Sequence, residues 1–486
     1  MSRRVVLAID EGTTNSKAVM VDEAGRIIAS GSAPVPIDHP RSGWVQQDAE
    51  AIWQATLTAI GACLQAAPDV EIVALGISNQ RESILIWDRA TGQPLGPVIS
   101  WQCRRTAAGC EALRDAGHEA EVIARTGLPL DPMFPATKAA WLQKHHGGGT
   151  NICIGTVDSW LIWKLTGGRV HATDRSNAAR TQLFNLAEGQ WDEWLCALFG
   201  IDQSALPVVC DSAHDFGVTQ ADGPLPGGIP IASAIGDSHA ALFSHGAFGS
   251  GDGKVTFGTG SSVMTTIPDF IIPPQGITTT IAWSLNGTST FAFEGNILVS
   301  AAILPWTAAL LGLDGVEALL DLAQTVPDSG GVSLVPAHVG LGAPYWDADA
   351  RGLVCGLSFG SGPAQIARAS ADSMALQVQA VFAIMAEAAG GIGRLSVDGG
   401  PSRNRFLMQL VADYLNHPVT PCRNAEASAL GAAYLAGLKT GFWADLDALT
   451  ALISRDAHIT PQMQPETRIA ALESWRMAIA RTTAQV

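Results

Sequence analysis

The segment Asp10-Glu11-Gly12-Thr13-Thr14-Asn15-Ser16-Lys17 gathers carboxylates, a glycine, hydroxyls and an ammonium group between two apolar runs, Val5 to Ile9 and Ala18 to Val21. Such a pattern predicts a β-hairpin with a tight turn of Gly and hydroxyl residues, and Asp22 to Gly25 predicts a second turn after it. A related stretch, Thr256-Phe257-Gly258-Thr259-Gly260-Ser261-Ser262-Val263-Met264, returns in the second half of the chain. Glycines admit backbone N–H groups close to phosphate oxygens, and Thr and Ser hydroxyls add donors. Asp10, at the end of the first strand, can orient a Mg2+ ion through its waters. Neither copy is a Walker loop, because no Gly-x-x-x-x-Gly-Lys-Thr occurs. One Gly-Thr-Thr alone also makes an ordinary turn. The repetition sets these two apart, and it predicts a duplicated α/β unit holding one polyphosphate between its copies.

Asp237 follows Gly236 at the end of the apolar run Ile229 to Ile235 and so projects from a strand end. A carboxylate placed there can take the proton of a substrate hydroxyl as that oxygen attacks a γ-phosphate. Its alternative role is to cap a helix starting over Ser238 to Ala241. The loop Asn79-Gln80-Arg81-Glu82-Ser83 joins two buried-strand patterns, Ile72 to Ser78 and Ile84 to Trp87. Adjacent Arg81 and Glu82 offer a donor fork and an acceptor pair suited to vicinal hydroxyls, or else form a solvated turn. Trp101 can wall a carbon chain or simply fill a core. In Val397-Asp398-Gly399-Gly400-Pro401-Ser402-Arg403-Asn404 a strand meets a helix, where free N–H groups receive an anion or merely make a tight turn.

These residues need a scaffold, and the composition allows a large one. At 486 residues, 47% hydrophobic and with 51 glycines, the chain is too long for one core and predicts two or more α/β domains. A net charge of −16 argues against nucleic acid as the partner. Two arginines and a short apolar run at the N-terminus do not make a secretory signal, so a cytoplasmic protein is expected. Ile297 to Leu313 is uncharged but contains Pro305, and reads as a buried helix beginning or breaking there, not a membrane span. The eight cysteines are scattered without metal-ligand spacing and are expected to be reduced thiols. Helices are predicted over Ala49 to Ala66, Val157 to Leu165 and about Asn404 to Leu415, with a strand over Arg394 to Val397. The Gly-rich stretch Gly246 to Gly253 marks the boundary between halves, giving domains 1–249 and 250–486 that face one cleft.

Taken together, Asp10-Glu11-Gly12-Thr13-Thr14, Gly76-Ile77-Ser78-Asn79-Gln80-Arg81-Glu82, Trp101-Gln102-Cys103-Arg104-Arg105-Thr106, Gly236-Asp237, Gly340-Leu341-Gly342-Ala343-Pro344-Tyr345-Trp346-Asp347 and Ala429-Leu430-Gly431-Ala432-Ala433-Tyr434 resemble the FGGY carbohydrate kinases, and among them the glycerol kinases. The resemblance runs from Val5 to about Phe442. It implies two ribonuclease-H-like, actin-type ATPase domains closing on ATP-Mg2+ and a polyol. Thr13, Thr14 and Asn15 then match phosphate contacts, with Lys17 where an Arg is usual. Thr259, Gly400 and Asn404 match nucleotide-binding positions, while Ala301 stands in place of a Gly and Pro305 in place of a Gln. Arg81, Glu82, Trp101 and Asp237 match the polyol-contacting set, with Asp237 as general base. Three positions depart from the glycerol kinases: Met133 replaces a Tyr, Ser238 a Gln and Ser262 a Phe. They make room and add hydroxyls.

The expected activity is therefore ATP-dependent phosphorylation of a polyol's terminal hydroxyl, glycerol to glycerol 3-phosphate first. A four- or five-carbon polyol or ketose, such as erythritol or xylulose, is the rival acceptor. The alternative from another class is an actin-like module that uses ATP only as a conformational switch. The resemblance also implies a homodimer or homotetramer.

Overall fold

The computed structural model describes residues 2–147, 151–422 and 426–483. In the first half, Arg3–Glu11 pairs antiparallel with Asn15–Asp22, and that strand pairs antiparallel with Ile27–Pro34. On its other side Arg3–Glu11 lies parallel to Val70–Asn79, which lies parallel to Ile231–Gly236. The second half repeats the plan. Gly253–Phe257 pairs antiparallel with Ser261–Ile267, then Thr288–Ile297 and Thr278–Leu285 continue the sheet. Its parallel neighbours are Leu395–Gly399 and Val419–Pro421. Parallel pairing needs a crossover long enough to hold a helix. Ala49–Ala66, Pro363–Ala388 and Arg405–Leu415 supply such helices. A hairpin, a third antiparallel strand and two parallel strands thus occur twice, which is the ribonuclease-H-like unit in duplicate.

Strand geometry explains why the first strand reads as an unbroken apolar run. Side chains alternate between faces, and both faces of this sheet are covered. Val5, Leu7 and Ile9 pack with Ile52, Trp53 and Ile60 of the helix Ala49–Ala66. That helix starts where Asp48 accepts the Ala51 N–H at 2.8 Å. Val6 and Ala8 face the opposite way, toward Ala429, Leu430 and Ala433 of Ala427–Lys439. This last helix comes from the second half of the chain yet lies on the first sheet, so the halves interlock. Ser233 Oγ donates to the Ala432 carbonyl at 2.8 Å. At Gly431 an added Cβ would sit 2.0 Å from the Ala240 carbonyl oxygen, so only glycine permits this approach.

An insertion in the first half carries a four-stranded sheet of Gln46–Gln47, Val98–Ile99, Ile84–Asp88 and Ile152–Thr156, with the helix Pro135–His146 against it. Some boundaries differ from the sequence reading. The strand expected from Arg394 runs Leu395–Gly399, and Asn404 caps Arg405–Leu415 by accepting the Leu407 N–H at 3.0 Å. The uncharged stretch around Pro305 becomes the short helix Ile303–Leu310, where Pro305 sits in the first turn and needs no N–H partner. Pro363–Ala388 is long and apolar enough to cross a membrane, but 72% of its apolar window is buried inside the fold. The cysteines are all free thiols.

Substituting Gly431→Ala forces the helix Ala427–Lys439 away from the helix Asp237–Ser244, which carries Ala240, and is expected to cost about 1–3 kcal/mol. A urea titration should show a lower midpoint with the slope kept, whereas an unchanged midpoint would mean that this contact is slack.

Candidate active site

The strand register collects the chemistry at one sheet edge. Asp10 is paired with Lys17 across the hairpin and with Ser78 across the parallel ladder, and Gly236 stands opposite Asn79. Asp10 therefore lies beside the strand ends that release Arg81, Glu82 and Asp237. Ser78 Oγ donates to Asp10 Oδ1 at 2.9 Å. Burial, reinforced by the Asp237 carboxylate, pushes the Asp10 carboxyl up to about 7. Asp237 opens the helix Asp237–Ser244 instead of preceding it, which corrects the capping expectation: Gly236 is the cap residue. Its carboxylate accepts the adjacent Ser238 N–H at 2.6 Å and keeps 39% of its surface open. Crowding by protein raises its pKa, and the Arg81 guanidinium opposes that rise. Gly236 is required here because a Cβ would lie 2.6 Å from Arg81 Cδ.

Arg81 and Glu82 are not a solvated turn. Both are buried, and they belong to a chain of alternating charges. Glu82 Oε1 accepts from Arg180 Nε at 2.6 Å, and Arg180 Nη1 lies 3.0 Å from Glu294 Oε2. Glu294 Oε1 lies 2.7 Å from Arg81 Nη1, and Arg81 Nε donates to Asp237 Oδ1 at 3.1 Å. Burial alone would raise the Glu294 carboxyl, but Arg180 and Arg81 hold it well below the usual carboxylate range. Glu82 adopts φ 60°, a left-handed backbone that costs a non-glycine residue about 1 kcal/mol or more. Lys138 locks that conformation. Its fully buried ammonium donates to the carbonyls of Glu82 (2.8 Å), Ser100 (3.2 Å) and Met133 (2.6 Å), tying three pocket segments together. Burial pulls the Lys138 ammonium down to about 7.

Trp101 connects this pocket to the first hairpin, since its indole N–H donates to Thr13 Oγ1 at 2.9 Å. Gln80 N–H donates to the Glu11 carbonyl at 2.7 Å, so the Arg81 loop is tied to the hairpin. Next to Asp237, Ser238 Oγ donates to Ser262 Oγ at 3.0 Å and accepts from Lys254 Nζ at 3.0 Å. Lys254 also donates to Thr256 Oγ1 at 2.8 Å and is fully buried. These two serines, one per half, meet across the domains.

On the nucleotide side, Thr14 and Asn15 are exposed at the first turn, closed by Gly12 N–H to the Asn15 carbonyl at 3.0 Å. The second turn exposes Thr259, and Ala301 N–H donates to the Gly258 carbonyl at 3.1 Å. Phe257 pairs with Gly399, so Gly400 emerges beside that turn. Thr259, Ala301 and Gly400 therefore share one edge, while the side-chain oxygen of Asn404 is engaged in its cap. Lys17 does not reach toward this edge with a free ammonium: it pairs with Glu426 at 2.8 Å. His245, past the end of the Asp237 helix, pairs with Asp398, the residue before the Gly399-Gly400 turn.

Arg180, Glu294, Lys138, Lys254 and His245 escaped the sequence reading. Glu294 and Lys254 did leave a trace, a lone charge inside Phe291-Ala292-Phe293-Glu294-Gly295 and Gly253-Lys254-Val255-Thr256-Phe257. Charges inside buried strands need partners.

Residues 5–244 match the model of the FGGY family of carbohydrate kinases, N-terminal domain, and residues 253–440 match its C-terminal domain. An apulose kinase of Pectobacterium atrosepticum is 46% identical, covering 98% of each chain. A glycerol kinase of Rhodospirillum centenum is 43% identical over 99% of this chain and 98% of its own. Plasmodium falciparum glycerol kinase, solved with ADP, superposes with a TM-score of 0.94 at 29% identity, over 100% and 99% of the two chains.

The His245–Asp398 pair has a stability signature. Asp398, by charge and hydrogen bond, outweighs the burial that would lower His245 and raises the imidazole from 6.5 to about 9, worth about 3 kcal/mol when fully expressed. A raised folded-state pKa stabilises fully below pH 6.5 and fades as pH climbs through 9. His245→Gln should therefore lose most against the wild type at pH 6, with the gap closing by pH 9.5, in chemical unfolding followed across pH. A gap independent of pH would contradict the ionised pair.

Proposed function

Because the chain belongs to the FGGY family of carbohydrate kinases, we propose that it transfers the γ-phosphoryl group of ATP to a terminal hydroxyl of a small polyol or ketose, with Asp237 as general base. The observation that carries this reading is a half-open carboxylate bound to Arg81, beside Glu82 and at the sheet edge of the first Gly-Thr turn. Full-length similarity to kinases sets aside the switch module. We assign the acceptor side to residues 1–249 and the nucleotide side to 250–486, with Ala427–Lys439 reaching back onto the first sheet.

In this reading the hydroxyl to be phosphorylated docks against Asp237, whose raised pKa makes it a stronger proton acceptor than an exposed carboxylate. Arg81 keeps that carboxylate ionised and oriented. Glu82 accepts from the acceptor's hydroxyls, and Trp101 covers its carbon chain. Backbone N–H groups and hydroxyls of Thr13, Thr14, Asn15 and Thr259 face the phosphates, and Ala301, Gly400 and Asn404 border the nucleoside. Asp10, a buried carboxylate whose pKa the neighbouring Asp237 carboxylate raises further, fits a divalent cation nearby. A Mg2+ ion held through Asp10 would neutralise phosphate charge. Closure of the halves excludes water and aligns the attacking oxygen with phosphorus.

A second question is the acceptor's size. Met133, Ser238 and Ser262 present a flexible thioether and two short hydroxyl side chains, and the serines already bond each other and Lys254. A pocket so lined favours a four- or five-carbon polyol or ketose over glycerol, which is the smaller alternative.

Asp237→Asn should cut kcat by about 10²–10⁴-fold while nucleotide binding by calorimetry persists, and full turnover would remove the base assignment. In a coupled ADP-release assay over glycerol, erythritol and xylulose, the longer acceptors should have the higher kcat/KM. Glycerol leading by a wide margin would overturn the larger pocket.

A further inference from the structure

We propose that Glu294 is a positioning residue for the acceptor site, a carboxylate delivered by the second half of the chain that holds Arg81 and Arg180 apart and so sets Glu82 and Asp237 as one unit. The proposal rests on the kinase reading of Glu82 and Asp237 above. Glu294 lies inside the second sheet, opposite Met264 on one side and Thr278 on the other, and is wholly inaccessible to solvent. One oxygen is 2.7 Å from Arg81 Nη1 and the other 3.0 Å from Arg180 Nη1. Each arginine then has one further carboxylate partner on the acceptor side, Asp237 for Arg81 and Glu82 for Arg180. Thr278 Oγ1, 3.4 Å from Arg180 Nη1, completes that seat and itself donates to the Glu294 backbone carbonyl at 3.1 Å.

Competition between carboxylates gives the arrangement its purpose. A guanidinium shared by two carboxylates is pulled from both sides and cannot collapse fully onto either. Without Glu294, Arg81 would have Asp237 as its remaining ion-pair partner among these groups, and Arg180 would have Glu82. Arg81 would then close on the base and mask its lone pairs, while Arg180 would occupy the oxygens that receive the acceptor's hydroxyls. Lys254 and the neutral, fully buried His239 also border this patch, but neither spans both arginines. Because Glu294 comes from the opposite half, the acceptor pocket takes its geometry from both domains at once.

Steady-state kinetics on Glu294→Gln should give a kcat lower by about 10²-fold, the scale of a small misplacement of reacting groups. The acceptor KM should rise and the ATP KM should stay at the wild-type value. Asp372→Asn is the control, since it breaks the buried Arg368–Asp372 pair at 2.9 Å, remote from Asp237, and should lower stability alone. Kinetic losses in Glu294→Gln that match those of Asp372→Asn, or equal rises in both KM values, would overturn the proposal. If the Gln variant is insoluble, Glu294→Asp keeps the charge and withdraws it by one methylene; it should show the same split, and wild-type kinetics there would also overturn it. Wild type and Asp237→Asn run alongside separate this outcome from failure of the kinase reading itself, which would show as an active Asp237→Asn.

Discussion

Glu82, Arg180, Glu294 and Arg81 share one nearly dry patch that borders the half-open Asp237, and each buried charge there depends on its neighbour. Desolvating an isolated ion costs several kcal/mol, and such a pair stands only when its geometry and hydrogen bonds are close to complete. The alternation of sign therefore constrains everything around it. It dictates that the Arg81 loop be tied to the first hairpin, that Gly236 lack a side chain, and that Glu82 accept a left-handed backbone. It also dictates that a strand of the second half carry a carboxylate in its middle. The chain ends at Asp237, the member that keeps an open face, where a hydroxyl can approach.

The duplicated sheet explains why such a patch can exist between domains. Each unit presents a Gly-Thr turn at the same end of its first strand. Interlocking fixes the pairing, because Ala427–Lys439 leaves its own half to pack on the first sheet through small residues. Ser238 and Ser262 meet across the same seam, as do His245 and Asp398. Contacts of this kind fix the register of one half against the other.

Much of this was legible from the chain and some was not, for reasons that can be named. The hairpin at Gly12 was readable because two unbroken apolar runs and the turn residues between them are local signals. The helix Ala49–Ala66 was readable because its stripe repeats every three to four residues. Asp237 stood out because a glycine and a carboxylate directly after a buried apolar run mark a strand end. Arg81 and Glu82 were visible as a pair, yet their partners were not, since Arg180 and Glu294 are distant in sequence and lie in segments without a motif. The resting partner of Lys17, Glu426, is equally non-local. A lone Glu within Phe291 to Gly295 was a usable clue that a buried cation exists, though not which one.

The most direct test of the whole account is a crystal structure of the wild-type chain with a non-hydrolysable ATP analogue and the best acceptor. The expected result is a triphosphate lying between the turns at Gly12 and Gly258, with an Asp237 carboxylate oxygen about 3 Å from the acceptor's terminal hydroxyl. That hydroxyl should point in line at the terminal phosphorus. A nucleotide bound away from both turns, or an acceptor whose hydroxyls avoid Asp237, would contradict it.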